Sequence, residues 1–201
     1  MDTNLEDIRH IRSMMERSSK FLSLSGMSGV SAGTIALLGA IVAYFMLEGK
    51  LSITGLLLYD LILVTALVLI CAASAGFYFS ARKAHRNNSK FWMPVTWQIL
   101  LDFSIPMVIG GVICFIFIFK HLSYLILPFM LIFYGISLIY AGARTYRDIK
   151  ILGASEVVLG LLGIVANQYS LLIWAIGFGV LHIVYGVVMY YKYDMKTDKS
   201  D

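Results

Sequence analysis

Six stretches of this chain, near residues 27 to 47, 53 to 80, 95 to 119, 122 to 143, 152 to 167 and 170 to 191, are apolar over lengths that a small soluble core does not absorb. A helix rises about 1.5 Å per residue and the hydrocarbon core of a bilayer is about 30 Å thick, so roughly 20 apolar residues make one crossing. Within lipid every backbone N–H and C=O needs a partner inside its own segment, which favours the α-helix for runs of this kind. Composition agrees: 59% of the 201 residues are hydrophobic and 14% charged, against about 45–50% and about 25% in soluble domains. The expected fold class is therefore all-α, a polytopic six-transmembrane-helix bundle made of three hairpins. The fifth run is the shortest and implies an oblique start or burial among its neighbours.

The segments between the runs orient the chain. Arg9, Arg12, Arg17 and Lys20 precede the first run; Arg82, Lys83, Arg86 and Lys90 follow the second; Arg144, Arg147 and Lys150 follow the fourth; Lys192, Lys196 and Lys199 follow the last. Only Lys50 and Lys120 fall on the other side. Cytoplasmic loops collect Lys and Arg, so both termini are expected in the cytoplasm and the chain in a bacterial cytoplasmic membrane. The net charge of +4 is explained by lipid headgroups, and no nucleic-acid partner is expected.

Residues 1–24 are expected to form a cytoplasmic amphipathic helix, with Leu5, Ile8, Ile11, Met15 and Leu22 on one face, ahead of a transmembrane domain over 25–193 and a disordered tail over 194–201. No A-x-A-like cleavage site follows the first run, so that run is expected to remain as a membrane helix. Cys71 and Cys114 lie inside apolar runs, and His10, His85, His121 and His182 are scattered without ligand spacing. No metal or cofactor is expected, and no catalytic motif of the metalloprotease, serine hydrolase, P-loop or Rossmann kind is present.

The last hairpin is the most informative stretch. In its first half Gly153, Glu156, Gly160, Gly163 and Asn167 share one helical face, and in its second half Ala175, Gly179, His182 and Gly186 do the same. Each helix thus brings a narrow seam of small residues carrying one titratable group. The first helix carries Gly29 and Gly33, with Ala32, Ala36 and Ala40 on an adjoining row, a pattern that allows close approach within the bundle or to a membrane partner or second copy. A 45-residue offset between the second and third hairpins matches Tyr140 to Tyr185 and Arg147 to Lys192, compatible with an internal repeat.

Three hairpins with Gly-rich helices and short outer turns resemble small uncharacterised six-span bacterial inner-membrane proteins, and the apolar rhythm of the last hairpin resembles the HdeD-like acid-resistance membrane family. The alanine row of the first helix is similar to that in the substrate-binding components of energy-coupling-factor transporters. No functional residue carries over from these resemblances.

Ionisable groups inside spans mark functional positions. Asp102 lies about 12 Å deep and His182 about 13 Å from the same surface, so the two are expected to meet. Pro106 lacks the N–H that would bond the carbonyl of residue 102, and Gln98 lies one turn earlier on the same stripe. Glu156 is read either as part of this cluster or as a complement to the helix dipole and the basic loop upstream. Asp60 and Tyr59 enter from the opposite side. The expectation is a non-enzymatic protein that binds or conducts a small solute, cation or proton through a polar cavity in the cytoplasmic half, lined by Asp102, Gln98, Glu156 and His182. Alternatives are an accessory or sensory protein acting through partner or lipid binding, and an intramembrane enzyme.

Overall fold

A computed structural model describes residues 24–87 and 91–195. The expected amphipathic helix over 3–22 and the tail beyond 195 lie outside the described residues. Among those described there is no strand, and the chain runs as α1 (Gly26–Leu47), α2 (Leu57–Arg86), α3 (Pro94–Phe119), α4 (Ile126–Ala141), α5 (Arg147–Val165) and a last rod termed α6. That rod runs without a break through Ser170–Trp174, Ala175–Leu181, His182–Met189 and Tyr190–Asp194, and its second and fourth pieces are π-helical. Short 3₁₀ turns, Ser123–Leu125 and Asn167–Tyr169, lead into α4 and α6.

Five of these rods are long and apolar enough to cross a membrane: α1, α2, α3, α4 with its leading turn, and α6 with its leading turn. The chain is a helical, multi-pass membrane protein by that measure, and its surface agrees. Leu69, Val108, Phe119 and Val165 are among many large apolar side chains facing outward, as lipid allows and water would not. Helix α5 has similar length but opens with Arg147, Asp148 and Lys150 and carries Glu156 further on.

Local chemistry sets the helix ends. Pro94 occupies the first turn of α3, where its missing N–H costs nothing, and Thr96 accepts from the backbone N–H of Met93 at 3.3 Å. At the start of α2 the Asp60 carboxylate accepts from the hydroxyls of Ser52 and Thr54 and from the N–H groups of Ile53 and Thr54, all within 3.0 Å. Gly55, at φ 82°, lets the loop fold back over it. The first N–H of α1 is capped from the far end of the chain: Asp194 accepts from Gly26 N at 3.0 Å and from the Ser25 hydroxyl at 3.2 Å. Lys83 of α2 pairs with the same carboxylate at 2.7 Å and donates to the carbonyl of Leu24 at 2.8 Å. The basic end of the bundle is thereby tied across three helices.

Glycine decides which helices touch. A Cβ on Gly186 would strike the backbone of Val30, Gly26 and Gly29, and one on Gly33 would lie 2.6 Å from the carbonyl of Gly179, so α1 lies backbone to backbone on α6. A Cβ on Gly135 would lie 2.5 Å from the carbonyl of Gly153, and one on Gly160 2.7 Å from that of Pro128, which closes α4 on α5. Helix α2 packs on α1 and α3 on α4, each leaving most of its surface outward. The glycines of the two seams therefore turn to different neighbours, Gly153, Gly160 and Gly163 of α5 toward α4 and Gly179 and Gly186 of α6 toward α1. The 45-residue match does not place equivalent residues alike: Tyr140 faces outward, whereas Tyr185 packs inside against Tyr146, Ile149 and Met189.

Candidate functional site

Glu156 sits where α4, α5 and α6 meet. It is 0% exposed, and neither carboxylate oxygen receives a hydrogen bond from any described residue. Helix α5 begins at Arg147 rather than near 152, so Glu156 lies in the helix interior and does not complement the helix N-terminus. Space for its side chain comes from Gly177: a Cβ there would collide with Glu156 Oε2 and lie 2.6 Å from Leu131 Cδ2.

Beside this carboxylate stands His182, whose Nδ1 is 3.4 Å from Oε1. The ring is held from both edges. Nδ1 lies 3.0 Å from the carbonyl of Gly177, and because a carbonyl only accepts, Nδ1 carries a proton and donates it there. In the neutral ring Nε2 then accepts from the Tyr134 hydroxyl, 2.7 Å away. Phe178 lies parallel to the imidazole at a centroid distance of 5.9 Å and also contacts Tyr134 at 4.7 Å and Trp174 at 4.9 Å. An acidic group without a donor thus adjoins a histidine fixed in one tautomer, walled by aromatic rings.

The π-helical piece Ala175–Leu181 makes this possible. Residues 177 and 182 are five apart, on different faces of an α-helix, but a π turn bonds i to i+5 and brings the Gly177 carbonyl under its own downstream histidine.

The expected cluster divides. Asp102 accepts from Arg144 Nε at 2.8 Å at the rim of the bundle, where its side chain is 27% exposed, and it makes neither a hydrogen bond nor an ion pair with His182. Arg144, at the end of the α4 hairpin arm, reaches it first. Gln98 faces outward, so no cavity wall is built from Gln98 and Asp102 together with Glu156 and His182. Asp60 is buried but fully occupied by the loop donors named above, and Tyr59 beside it points outward. Gly29, Gly33, Ala36 and Ala40 are buried and Ala32 partly so; Gly29 and Gly33 lie against α6, which takes the room a partner helix would need.

Sequence reasoning missed Tyr134 and Gly177. The cue for Tyr134 was a tyrosine far from either end of its span, where a hydroxyl needs a buried partner. Gly177 had no cue at α-helical spacing.

No protein family model, curated protein or solved structure matches this chain.

Proposed function

We propose that this chain is a non-enzymatic, six-span protein of the bacterial cytoplasmic membrane, with both termini in the cytoplasm, in which Glu156, His182 and Tyr134 form a buried centre that takes up and releases a proton. The observation that carries this reading is the Glu156 carboxylate, enclosed by three helices and given no donor among the described residues. Two things satisfy such a group, a proton of its own or a cation, because an ionised carboxylate without either is very costly in an apolar interior. Of the two a proton needs no additional space, and on the Gly177 side there is not room even for a Cβ.

His182 supplies the second element. Its Nδ1–H stands between two acceptors, the Gly177 carbonyl at 3.0 Å and Glu156 Oε1 at 3.4 Å. When Glu156 releases its proton, the anion becomes the stronger acceptor and draws Nδ1–H away from the carbonyl. Loading and unloading of Glu156 is thus linked to the hydrogen bond that holds the π-helical piece. The basic loops at one end of the bundle support the orientation, and the length of α5 supports its counting as the sixth crossing.

The experiment is infrared difference spectroscopy of the purified protein in lipid, titrated between about pH 4 and about pH 10. A carboxylic C=O band that changes with pH and is absent in Glu156→Gln is expected. A spectrum in which Glu156→Gln removes nothing overturns the reading.

A further inference from the structure

The six helices fall into two groups of three, and the proton centre lies on the joint between them. We propose that this joint opens at the basic end of the bundle, turning about the α5–α6 connection, and that water entering there exchanges the proton of Glu156. This rests on the proton-binding reading above and adds to it the side of exchange and the contact that gates it.

The division is drawn by how the helices touch. Helices α1 and α2 pack on one another and α6 packs on α1, whereas α3, α4 and α5 form the other stack. Inside each group backbones meet at glycine: Gly26, Gly29 and Gly33 of α1 against α6, and Gly153 and Gly160 of α5 against α4. Such contacts leave no side chain to rotate out of the way, so each group holds as a unit. Between the groups the contacts are made by side chains. A Cβ on Gly177 would meet Glu156 and Leu131 side-chain atoms instead of backbone. Tyr134 holds the imidazole of His182 at 2.7 Å, and Tyr146 and Ile149 pack on Met189. Interfaces of this kind are where packed helices hinge or slide.

The two ends of the joint differ. At the outer end the short turn Asn167–Tyr169 links α5 to α6, the Ser170 hydroxyl donates to the Gly163 carbonyl at 3.3 Å, and Trp174 is buried with Leu131, Ala36 and Ala40. At the basic end the link is polar and lies at the surface. Asp148 of α5 accepts from Lys192 at 2.9 Å and from the Tyr193 hydroxyl at 2.8 Å, and the Lys192 side chain is 49% exposed. Lys83 of α2 stands over the Tyr146 ring at 5.7 Å. Exposed ion pairs hold weakly, so this end parts before the buried, covalently linked one. The pairs Asp194–Lys83 and Asp102–Arg144 each lie within one group and move with it.

Asp148 precedes Glu156 on α5 by about 12 Å. Parting the groups beside Asp148 lets water descend along α5 to a carboxyl that is otherwise 0% exposed. Glu156 takes its proton directly from that water and is enclosed with it when the joint closes; release is the reverse. His182 keeps its proton on Nδ1 throughout, so no tautomer has to be restored.

The test locks the gate. Asp148→Cys and Lys192→Cys are combined in a chain carrying Cys71→Ala and Cys114→Ala, and a short reducible dithiol linker joins the new pair in lipid vesicles. After transfer to D₂O, the isotope shift of the Glu156 carboxyl band is followed before linking, after linking and after reduction. Linking is expected to slow the shift roughly tenfold or more, and reduction to restore it. The same linker between Asp102→Cys and Arg144→Cys, inside one group, is expected to leave the rate unchanged. A rate within about twofold before and after linking the Asp148–Lys192 pair, or equal slowing by both links, overturns the gate and leaves the proton-binding reading standing. If melts show that the linked pair fails to fold, Lys192→Gln in the parent chain carries the test: a shift about threefold faster or more is expected, and an unchanged rate overturns the gate. Absence of any band removed by Glu156→Gln overturns both.

Discussion

Nε2 of His182 lies 2.7 Å from the hydroxyl of Tyr134, and this contact, with the Gly177 carbonyl on the opposite edge, decides which imidazole tautomer faces Glu156. Removing the hydroxyl leaves a buried ring nitrogen without a donor, at a cost of about 1–3 kcal/mol. Tyr134→Phe is therefore expected to lower the melting temperature. It should also shift the Nε2 resonance in nitrogen NMR of labelled histidine while Nδ1 keeps its proton. An unchanged Nε2 resonance would show that the contact is not made.

Glu156 should be costly to the fold. Replacing a buried carboxyl that lacks donors with an apolar side chain of similar reach removes a desolvation penalty. Glu156→Met is expected to raise stability by about 1–3 kcal/mol in a denaturant or thermal melt while eliminating the infrared proton signal. A destabilised Met variant would mean that the carboxyl is a structural anchor.

Glycines at the helix contacts and glycines facing outward should respond in opposite directions. Gly186→Ala places a methyl against the backbone of α1, which cannot move aside as a side chain can, so a loss of about 1–3 kcal/mol or more is expected. Gly76 in α2 and Gly111 in α3 have open space where a Cβ would stand. Alanine there should stabilise by roughly 0.5–1 kcal/mol through helix propensity. Parallel melts of the three variants check the sign of each effect.

Asp148 lies ahead of the apolar part of α5. Burial pushes its carboxyl up, but hydrogen bonds from Lys192 and Tyr193 and the Lys192 charge outweigh that and hold it below the ordinary 3.8. A carboxyl depressed in the folded state adds stability that is complete above the unfolded value and is lost as pH falls through the folded one. Acidification from about pH 5 to about pH 2 should therefore lower the melting point of the parent more than that of Asp148→Asn. Parallel loss in both would remove Asp148 from the acid response.

The Asp102–Arg144 pair is a rim contact, with 27% and 43% of the two side chains exposed. Such pairs contribute about 1 kcal/mol or less. Asp102→Asn is expected to leave the infrared signal of Glu156 intact and to shift melting only slightly. Loss of that signal would place Asp102 in the centre after all.

Much of the fold could be read along the chain because it depends on a local quantity. The ends of α1 and α3 fall within a residue of the expected runs, and α5 departs because the sequence places Arg147, Asp148 and Lys150 inside the helix although they are polar. Less of the site was legible. Glu156 and His182 stood out as ionisable groups in apolar helices, but Asp102 stood out for the same reason and pairs elsewhere. Depth along a helix axis is written in residue number; direction around the bundle is not. Gly177 was invisible because its relation to His182 belongs to a π turn, and the α-helical period separates them.

The sequence by itself determined that this chain forms long apolar helices, since the bilayer forces each run to satisfy its own backbone. Only the tertiary structure decided that α1 lies on α6 and α4 on α5. In lipid nothing apolar distinguishes one helix from another, and the choice rests on where backbones approach at Gly29 and Gly186 or at Gly135 and Gly153. That pairing brings Tyr134, Glu156 and His182 to one point.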